Sequence, residues 1–219
     1  MLVCGIDEAG KGPVIGDLVI AGCLVEEKRM SILEEIGAKD SKLLSPKVRE
    51  ELYELIIKES KHALVHITAE EIDSRNGIGC NLNTLECIKM AQIINELKPD
   101  KAIIDCPHPV PKKFVDELKR YVEDKHVKII AEHKADFNYP IVGAASIIAK
   151  VNRDRRLKEI ENLVGIEIGS GYPHDPKTRK ALQTLINKEN SKLNKYVRHC
   201  WNTYKDEVRS FEQKNLGEF

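Results

Sequence analysis

Apolar positions along the chain follow two rhythms, and the switches between them mark out the elements. Leu2-Val3-Cys4-Gly5-Ile6 is an apolar run of strand length, and Val14 to Val25 is a second, β-branched run joined to it through a Gly/Pro turn. Two such runs with a tight link predict an antiparallel pair. Residues 27–37 and 46–59 have helical spacing, the latter opened by Ser45-Pro46, an N-cap followed by proline at the first helical position. His62 to Thr68 alternates as a third strand, and Asn83 to Leu97 carries Leu85, Ile88, Ile93, Ile94 and Leu97 at roughly helical intervals. Lys101 to Asp105 is a short buried strand ending in an acid, followed by a helix over 111–121 and a strand at Val127–Ala131. From Pro140 to about Leu163 the pattern predicts one long helix, whose first part, IVGAASIIA, is small and apolar and therefore buried. After the loop Gly169-Ser170-Gly171-Tyr172-Pro173 come helices over 176–188 and 201–212. Antiparallel strands followed by strand–helix alternation imply an α/β fold, a mixed sheet with helices on both faces.

A length of 219 residues fits one large domain, or one with a small appendage, and is enough to bury a substantial core. No internal repeat, low-complexity stretch or linker interrupts it. The 35 basic residues balance 35 acidic ones, so the overall field favours no class of partner. The basic residues are uneven: Lys150, Arg153, Arg155, Arg156 and Lys158 crowd one stretch, and Lys177, Arg179, Lys180, Lys188, Lys192, Lys195 and Arg198 follow. Solvated helix faces account for such runs. Six cysteines at positions 4, 23, 80, 87, 106 and 200 form no C-x-x-C pair, which argues against a zinc site or a disulfide scaffold. With no signal peptide and no apolar span of about 20 residues, the chain reads as a soluble cytoplasmic protein.

Chemistry enters where the first strand ends. Asp7 and Glu8 are adjacent carboxylates followed by Gly10-Lys11-Gly12-Pro13. Like charges side by side repel, and a divalent cation removes that repulsion; oxygen-only ligands suit magnesium or manganese. Taken alone, an Asp-Glu pair at a glycine turn needs no function, because turns favour both residue types. Asp105 closes another strand, and ligands of open α/β sheets bind beyond the carboxyl ends of strands. Asp136 follows the next strand and precedes the long buried helix. Four carboxylates converging there would hold two divalent ions ~3.5–4 Å apart, an arrangement suited to in-line phosphoryl displacement by water. His133 is not needed as a general base in such a site. One difficulty remains in the strand itself. Successive residues face opposite ways, so either the strand ends between Asp7 and Glu8, or Glu8 coordinates from the far side or through water.

The segments GIDEAGKGPVIG, KDSKLLSPK, HKAD, AASIIAKVNRDR, GSGYPHDPKTR and VRHCWNT together resemble ribonuclease HII in its archaeal form, over nearly the whole chain to about residue 204. The resemblance implies an RNase H-like five-stranded sheet and a helical C-terminal region. The boundaries expected are a catalytic domain over 1–168, a helical region over 169–212 and a tail over 213–219. It implies an endonuclease that cleaves RNA in RNA–DNA hybrids and 5′ of single ribonucleotides in duplex DNA. The ends would be a 5′-phosphate and a 3′-hydroxyl, and the biological role would be removal of misincorporated ribonucleotides and RNA primers. The family's metal-binding acids correspond to Asp7, Glu8, Asp105 and Asp136, implying Mg2+ or Mn2+ as cofactor, and the chain is expected to be a monomer.

RNA is told from DNA at one position through the 2′-hydroxyl. Backbone groups of Gly10, Lys11 and Gly12 are placed to reach it, since glycine allows close approach. The family more often has arginine where this chain has Lys11, which keeps the charge but loses the planar fork. The family's tyrosine that stacks on the deoxynucleotide sugar after the ribonucleotide corresponds to Tyr172. Ser41 and Lys42 match a phosphate-contact segment. Lys134 and Ser146 are further local candidates, Ser146 being equally readable as a buried helix serine bonded to its own backbone. The tail, Gln213 to Phe219, fits Q-x-x-L-x-x-F and resembles a sliding-clamp docking peptide in which Gln213, Leu216 and Phe219 make the contact, although it ends on a single aromatic. Two other classes compete: an RNase H-like DNA nuclease such as a junction resolvase or integrase core, and a catalytically silent hybrid- or clamp-binding module. The first gives no reason for the Gly-Lys-Gly turn with Tyr172, and the second gives none for four intact acids.

Overall fold

The protein is described by a computed structural model that covers residues 1–38 and 44–216, apart from the side chains of residues 76, 78 and 214–216. Ser41, Lys42 and Phe219, expected to touch phosphate or clamp, lie outside the described residues, as does the Leu216 side chain. The chain divides into two interleaved units. One comprises Met1–Ala9, Val19–His66 and Cys80–Asn152; the other comprises Gly10–Leu18, Ile67–Gly79 and Arg153–Phe219. The long helix contributes its first half to one unit and its second half to the other.

The first unit is built on a five-stranded sheet. Its strands are β1 (Leu2–Ala9), β2 (Leu18–Glu26), β3 (Lys61–Ile67), β4 (Lys101–Asp105) and β5 (Lys128–Glu132), in the order β3-β2-β1-β4-β5. β1 is antiparallel to β2 and parallel to β4, which is parallel to β5. The mixed sheet read from the strand pattern is thus present. The helices are α1 (Met30–Glu35), α2 (Pro46–Glu59), α3 (Ala69–Ser74), α4 (Leu82–Leu97), α5 (Pro111–Tyr121), α6 (Ala135–Asn138), α7 (Pro140–Val164), α8 (Pro176–Ile186) and α9 (Asn202–Leu216).

Both faces of the sheet are covered, which is why its strands read as nearly continuous apolar runs. On one face Val3, Ala21, Cys23, Val25 and Ile103 share a core with Ile141, Val142, Ala145 and Ile148 of α7 and with Leu33, Tyr53 and Ile56. On the other, the Cα of Gly22 faces Ile93 and Leu97 of α4. Alternation along β1 therefore sends Val3, Gly5 and Asp7 toward α7 and Cys4 and Ile6 toward α4.

Three expectations about elements change. The run Val14–Val25 is not one strand. It breaks at Gly16-Asp17, and Val14 and Ile15 are buried in the second unit's core with Leu157, Ile160, Leu182 and Val197, Ile15 bridging Val197. The helix expected at 27–37 is a single turn of 3-10 helix and then α1. α3 was not expected at all, although Thr68 caps it by accepting the Glu71 amide at 3.2 Å. No helix among the described residues is long and apolar enough to cross a membrane.

Candidate active site

Register brings the first two acids together. Gly5 pairs with Ile103 and Ile6 with Ile104. One step further along both parallel strands, Asp7 and Asp105 stand side by side on the face that carries α7, with neighbouring strands ~4.8 Å apart. The third acid comes from α6. Leaving β5, the chain turns at Lys134, whose φ of 60° is left-handed, and enters α6 with Asp136 in its first turn. A left-handed lysine costs about 1 kcal/mol. The amide of Ala135 donates to Asp105 Oδ1 at 3.0 Å and so ties the start of α6 to the end of β4. As a result, one carboxylate oxygen from each of Asp7, Asp105 and Asp136 lies within 4.8 Å of the other two. Asp7 and Asp136 are buried, and Asp105 is half-buried.

Three acids this close are unfavourable without a counter-ion. Burial pushes the Asp7 carboxyl up to about 7, and the charge of Asp105, with a smaller contribution from Asp136, pushes the same way. The Ser146 hydroxyl and the Glu8 amide, at 2.7 Å from Asp7 Oδ1, pull it back. Ser146 was expected beside substrate; it is buried on α7 and hydrogen-bonds to Asp7. A hard divalent cation suits an all-carboxylate donor set and would reverse the balance at Asp7, so the triad has the donors and spacing of a divalent-metal site.

Glu8 is resolved differently from Asp7. The strand does not end between them, because the β1–β2 register runs on through Glu8↔Ile20 to Ala9↔Val19. Glu8 therefore lies on the opposite side of the strand and outside the group of three. Sequence reasoning missed Glu132, which pairs with Asp105 in the β4–β5 register and accepts the Tyr139 hydroxyl at 3.0 Å. Lys134 is exposed at the turn into α6, and so is His133.

The second unit holds the other predicted residues. Lys11 and Gly12 sit in a turn against Tyr172: a Cβ on Gly12 would lie 3.2 Å from the Tyr172 ring. The two loops are laced by backbone, with Val14 N–H donating to Gly171 O at 2.9 Å. Thr178 Oγ1 accepts the Gly171 amide at 3.0 Å and donates to Ile168 O at 2.8 Å, and Asp175 accepts the Ser170 amide at 2.7 Å. Two arginines that were read as solvated charge are buried here. Arg153 donates to Ser170 O and lies 5.5 Å from the Tyr172 ring centre, and Arg198, fully buried, reaches the carbonyls of Gly10, Lys11 and Gly16. Asp17, also buried, pairs with Arg156 at 3.1 Å.

Comparison with known proteins agrees with this geometry. Residues 4–204 match the family described as Ribonuclease HII. The chain is 43% identical to the ribonuclease HII of Methanothermobacter thermautotrophicus, covering 93% of this chain and 97% of that one. It is 42% identical to that of Thermococcus sibiricus, covering 98% and 95%. The crystal structure of ribonuclease H2 from Pyrococcus horikoshii OT3 matches with a TM-score of 0.88 and 40% identity, over 97% of this chain and 99% of that one. The ribonuclease HII in the PCNA complex from Archaeoglobus fulgidus matches with a TM-score of 0.83 and 39% identity, over 92% and 96%. With the shared sheet and the acid triad at its strand ends, these matches mean that the chain belongs to the ribonuclease HII family, endoribonucleases that act on RNA–DNA hybrids.

Proposed function

We propose that this endoribonuclease, besides cutting RNA–DNA hybrids, cuts on the 5′ side of single ribonucleotides embedded in duplex DNA, leaving 5′-phosphate and 3′-hydroxyl ends. Its role would be removal of misincorporated ribonucleotides and RNA primers. The observation that carries the reading is the convergence of Asp7, Asp105 and Asp136 carboxylates within 4.8 Å. These three, with Glu8 from the other side of the strand or through water, would hold two divalent ions, Mg2+ or Mn2+. Such ions lower the pKa of water and stabilise a leaving oxygen, which is the chemistry phosphodiester hydrolysis needs. The chain's own residues do the rest. Ser146 orients Asp7, backbone amides of the Gly10-Lys11-Gly12 turn donate to the ribose 2′-hydroxyl, and Tyr172 stacks on the next sugar. Ser41, Lys42, Lys134 and the Lys11 side chain would contact phosphates, which position a duplex without reading its sequence. Residues 1–168 would carry the chemistry, and the helical region 169–212 would present the tyrosine loop.

Three duplexes test this: one with a single embedded ribonucleotide, one RNA–DNA hybrid, and one all-DNA, each with magnesium, manganese or EDTA. Cleavage is expected only of the first two and only with metal. Cutting of the all-DNA duplex would point to a DNA nuclease instead, and cutting in EDTA would remove the metal from the account.

The tail is the proposed clamp contact. Gln213 is exposed on the last turns of α9, which runs to Leu216. A relative from Archaeoglobus fulgidus has been seen in complex with PCNA, which supports the same docking here through Gln213, Leu216 and Phe219. Deleting Gln213–Phe219 is expected to abolish clamp binding and leave cleavage of short duplexes unchanged. Equal clamp affinity with and without the tail, in a direct titration, would refute it.

A further inference from the structure

We propose that Arg198 is a positioning residue that aims the backbone amides of Lys11 and Gly12 at the ribose 2′-hydroxyl. The proposal rests on the reading of the Gly10-Lys11-Gly12 turn as the ribose sensor and supplies what that reading lacks: a cause for the turn's orientation. Arg198 lies in the second unit with no exposed surface. Its Nη2 donates to Gly10 O at 2.7 Å and to Gly16 O at 2.9 Å. Its Nη1 donates to Lys11 O at 2.8 Å, and its Nε to Gly16 O at 3.1 Å. One planar fork thus holds three carbonyls of a single turn, which a point-charged lysine cannot reproduce. The Trp201 ring, 5.1 Å from the guanidinium carbon, backs it.

A trans peptide points its C=O and its N–H in opposite directions, and no peptide among the described residues is cis. With Gly10 O turned toward the guanidinium, the Lys11 N–H points away from it. With Lys11 O turned the same way, the Gly12 N–H does too. Arg198 therefore turns two successive amides away from itself, leaving both as donors on the side of the turn opposite the guanidinium. The left-handed φ of Gly10, 92°, is the backbone bend that starts this turn. Gly12 lies against the Tyr172 ring, so the donor pair and the expected sugar-stacking surface adjoin within one unit. Flipping either peptide would break a charge-assisted hydrogen bond and offer the substrate a carbonyl oxygen instead of a donor.

The burial of the charge makes the same point from stability. Replacing buried ions with packed apolar groups is often neutral or stabilising. Stitching the turn to the fold alone thus gives little reason for a guanidinium here; setting carbonyl direction does.

The test compares wild type with Arg198→Lys, full-length, in EDTA so that duplexes stay intact. Affinity is measured for a duplex with one ribonucleotide and for the same duplex all-deoxy. Wild type is expected to prefer the ribonucleotide, and Arg198→Lys to lose about tenfold of that preference, the effect of one hydrogen bond, with all-deoxy affinity unchanged. A folded Arg198→Lys with the wild-type preference overturns the proposal, as does an equal loss of affinity for both duplexes. No preference in wild type overturns the ribose reading of the turn itself. If Arg198→Lys does not fold, wild-type protein labelled with 15N-lysine and 15N-glycine carries the test. The Lys11 and Gly12 amide resonances should move downfield together with the ribonucleotide duplex only; equal movement with both duplexes overturns the proposal.

Discussion

Asp105→Asn is expected to lower turnover on an RNA–DNA hybrid by about 10³-fold or more, roughly 4 kcal/mol of transition-state stabilisation, while raising the thermal midpoint of the metal-free protein. Both effects follow from one fact. Asp105 and Asp136 lie beside Asp7, with one oxygen of each within 4.8 Å of the others. Asparagine keeps the Oδ1 that accepts the Ala135 amide, so the tie between β4 and α6 survives. It removes the charge that, after burial, does most to push the Asp7 carboxyl up to about 7. Each pKa unit of relief corresponds to about 1.4 kcal/mol, and a chain of this size gains roughly 2–4 °C per kcal/mol.

The pH dependence has a definite sign. With a folded pKa of about 7 against an ordinary value of 3.8, the native state holds a proton on Asp7 that the unfolded chain has lost. Stability from this group is therefore fully present below about pH 4 and is lost as pH rises toward 7. Metal-free wild type should melt progressively lower across that window, and a divalent ion should restore the midpoint at pH 7 and above. In Asp105→Asn the decline should be shallower. A variant midpoint well below wild type, or an unaltered pH slope, would show that the acids are not held together at the expense of stability.

How much of this could be read from the chain depends on what kind of information each feature needs. Alternating strands and helices were readable because both sheet faces are covered and the runs are dense. That Asp7, Asp105 and Asp136 occupy strand ends or helix starts was readable from local pattern. Which acids share a face was not, since that depends on the parallel register of β1 with β4, a non-local fact. Glu8 shows the limit: adjacent to Asp7 in sequence, it stands across the strand from it. Glu132 was invisible for the same reason, because only the β4–β5 register sets it beside Asp105. Val14 and Ile15 were taken into a strand because apolar residues look alike whichever core receives them. Arg153 and Arg198 were hidden by company: amid basic runs, a buried arginine has no periodicity to betray it. α3 had a signal, Thr68 three residues before Glu71, which is the spacing of a capping pair.

Gly5→Ala should be among the most damaging single methyls in the first unit, lowering stability by roughly 3 kcal/mol or more and the melting temperature by about 10 °C. A Cβ there would lie 2.2 Å from Ile141 O, 2.4 Å from Ile141 C and 2.6 Å from Val142 N. All three are backbone atoms in the first turn of α7, so no rotamer change relieves the clash. Either β1 bends away from its partners in the sheet, or α7 lifts by about 1 Å from a close-packed core. Lifting it would also reach the acids. From Ile141 to Ser146 is five helical residues, about 7.5 Å, and from Gly5 to Asp7 is two strand residues, about 6.6 Å. The helix that begins over Gly5 therefore delivers Ser146 to Asp7, and a displaced helix loosens that hydrogen bond. Activity should fall even at temperatures where the variant is fully folded. Gly77→Ala is the control, because a Cβ there meets nothing within 4 Å; its cost should stay within about 0.5 kcal/mol. A Gly5→Ala protein melting within about 2 °C of wild type would mean that strand and helix can separate freely, and the positioning of Asp7 by α7 would fall with it.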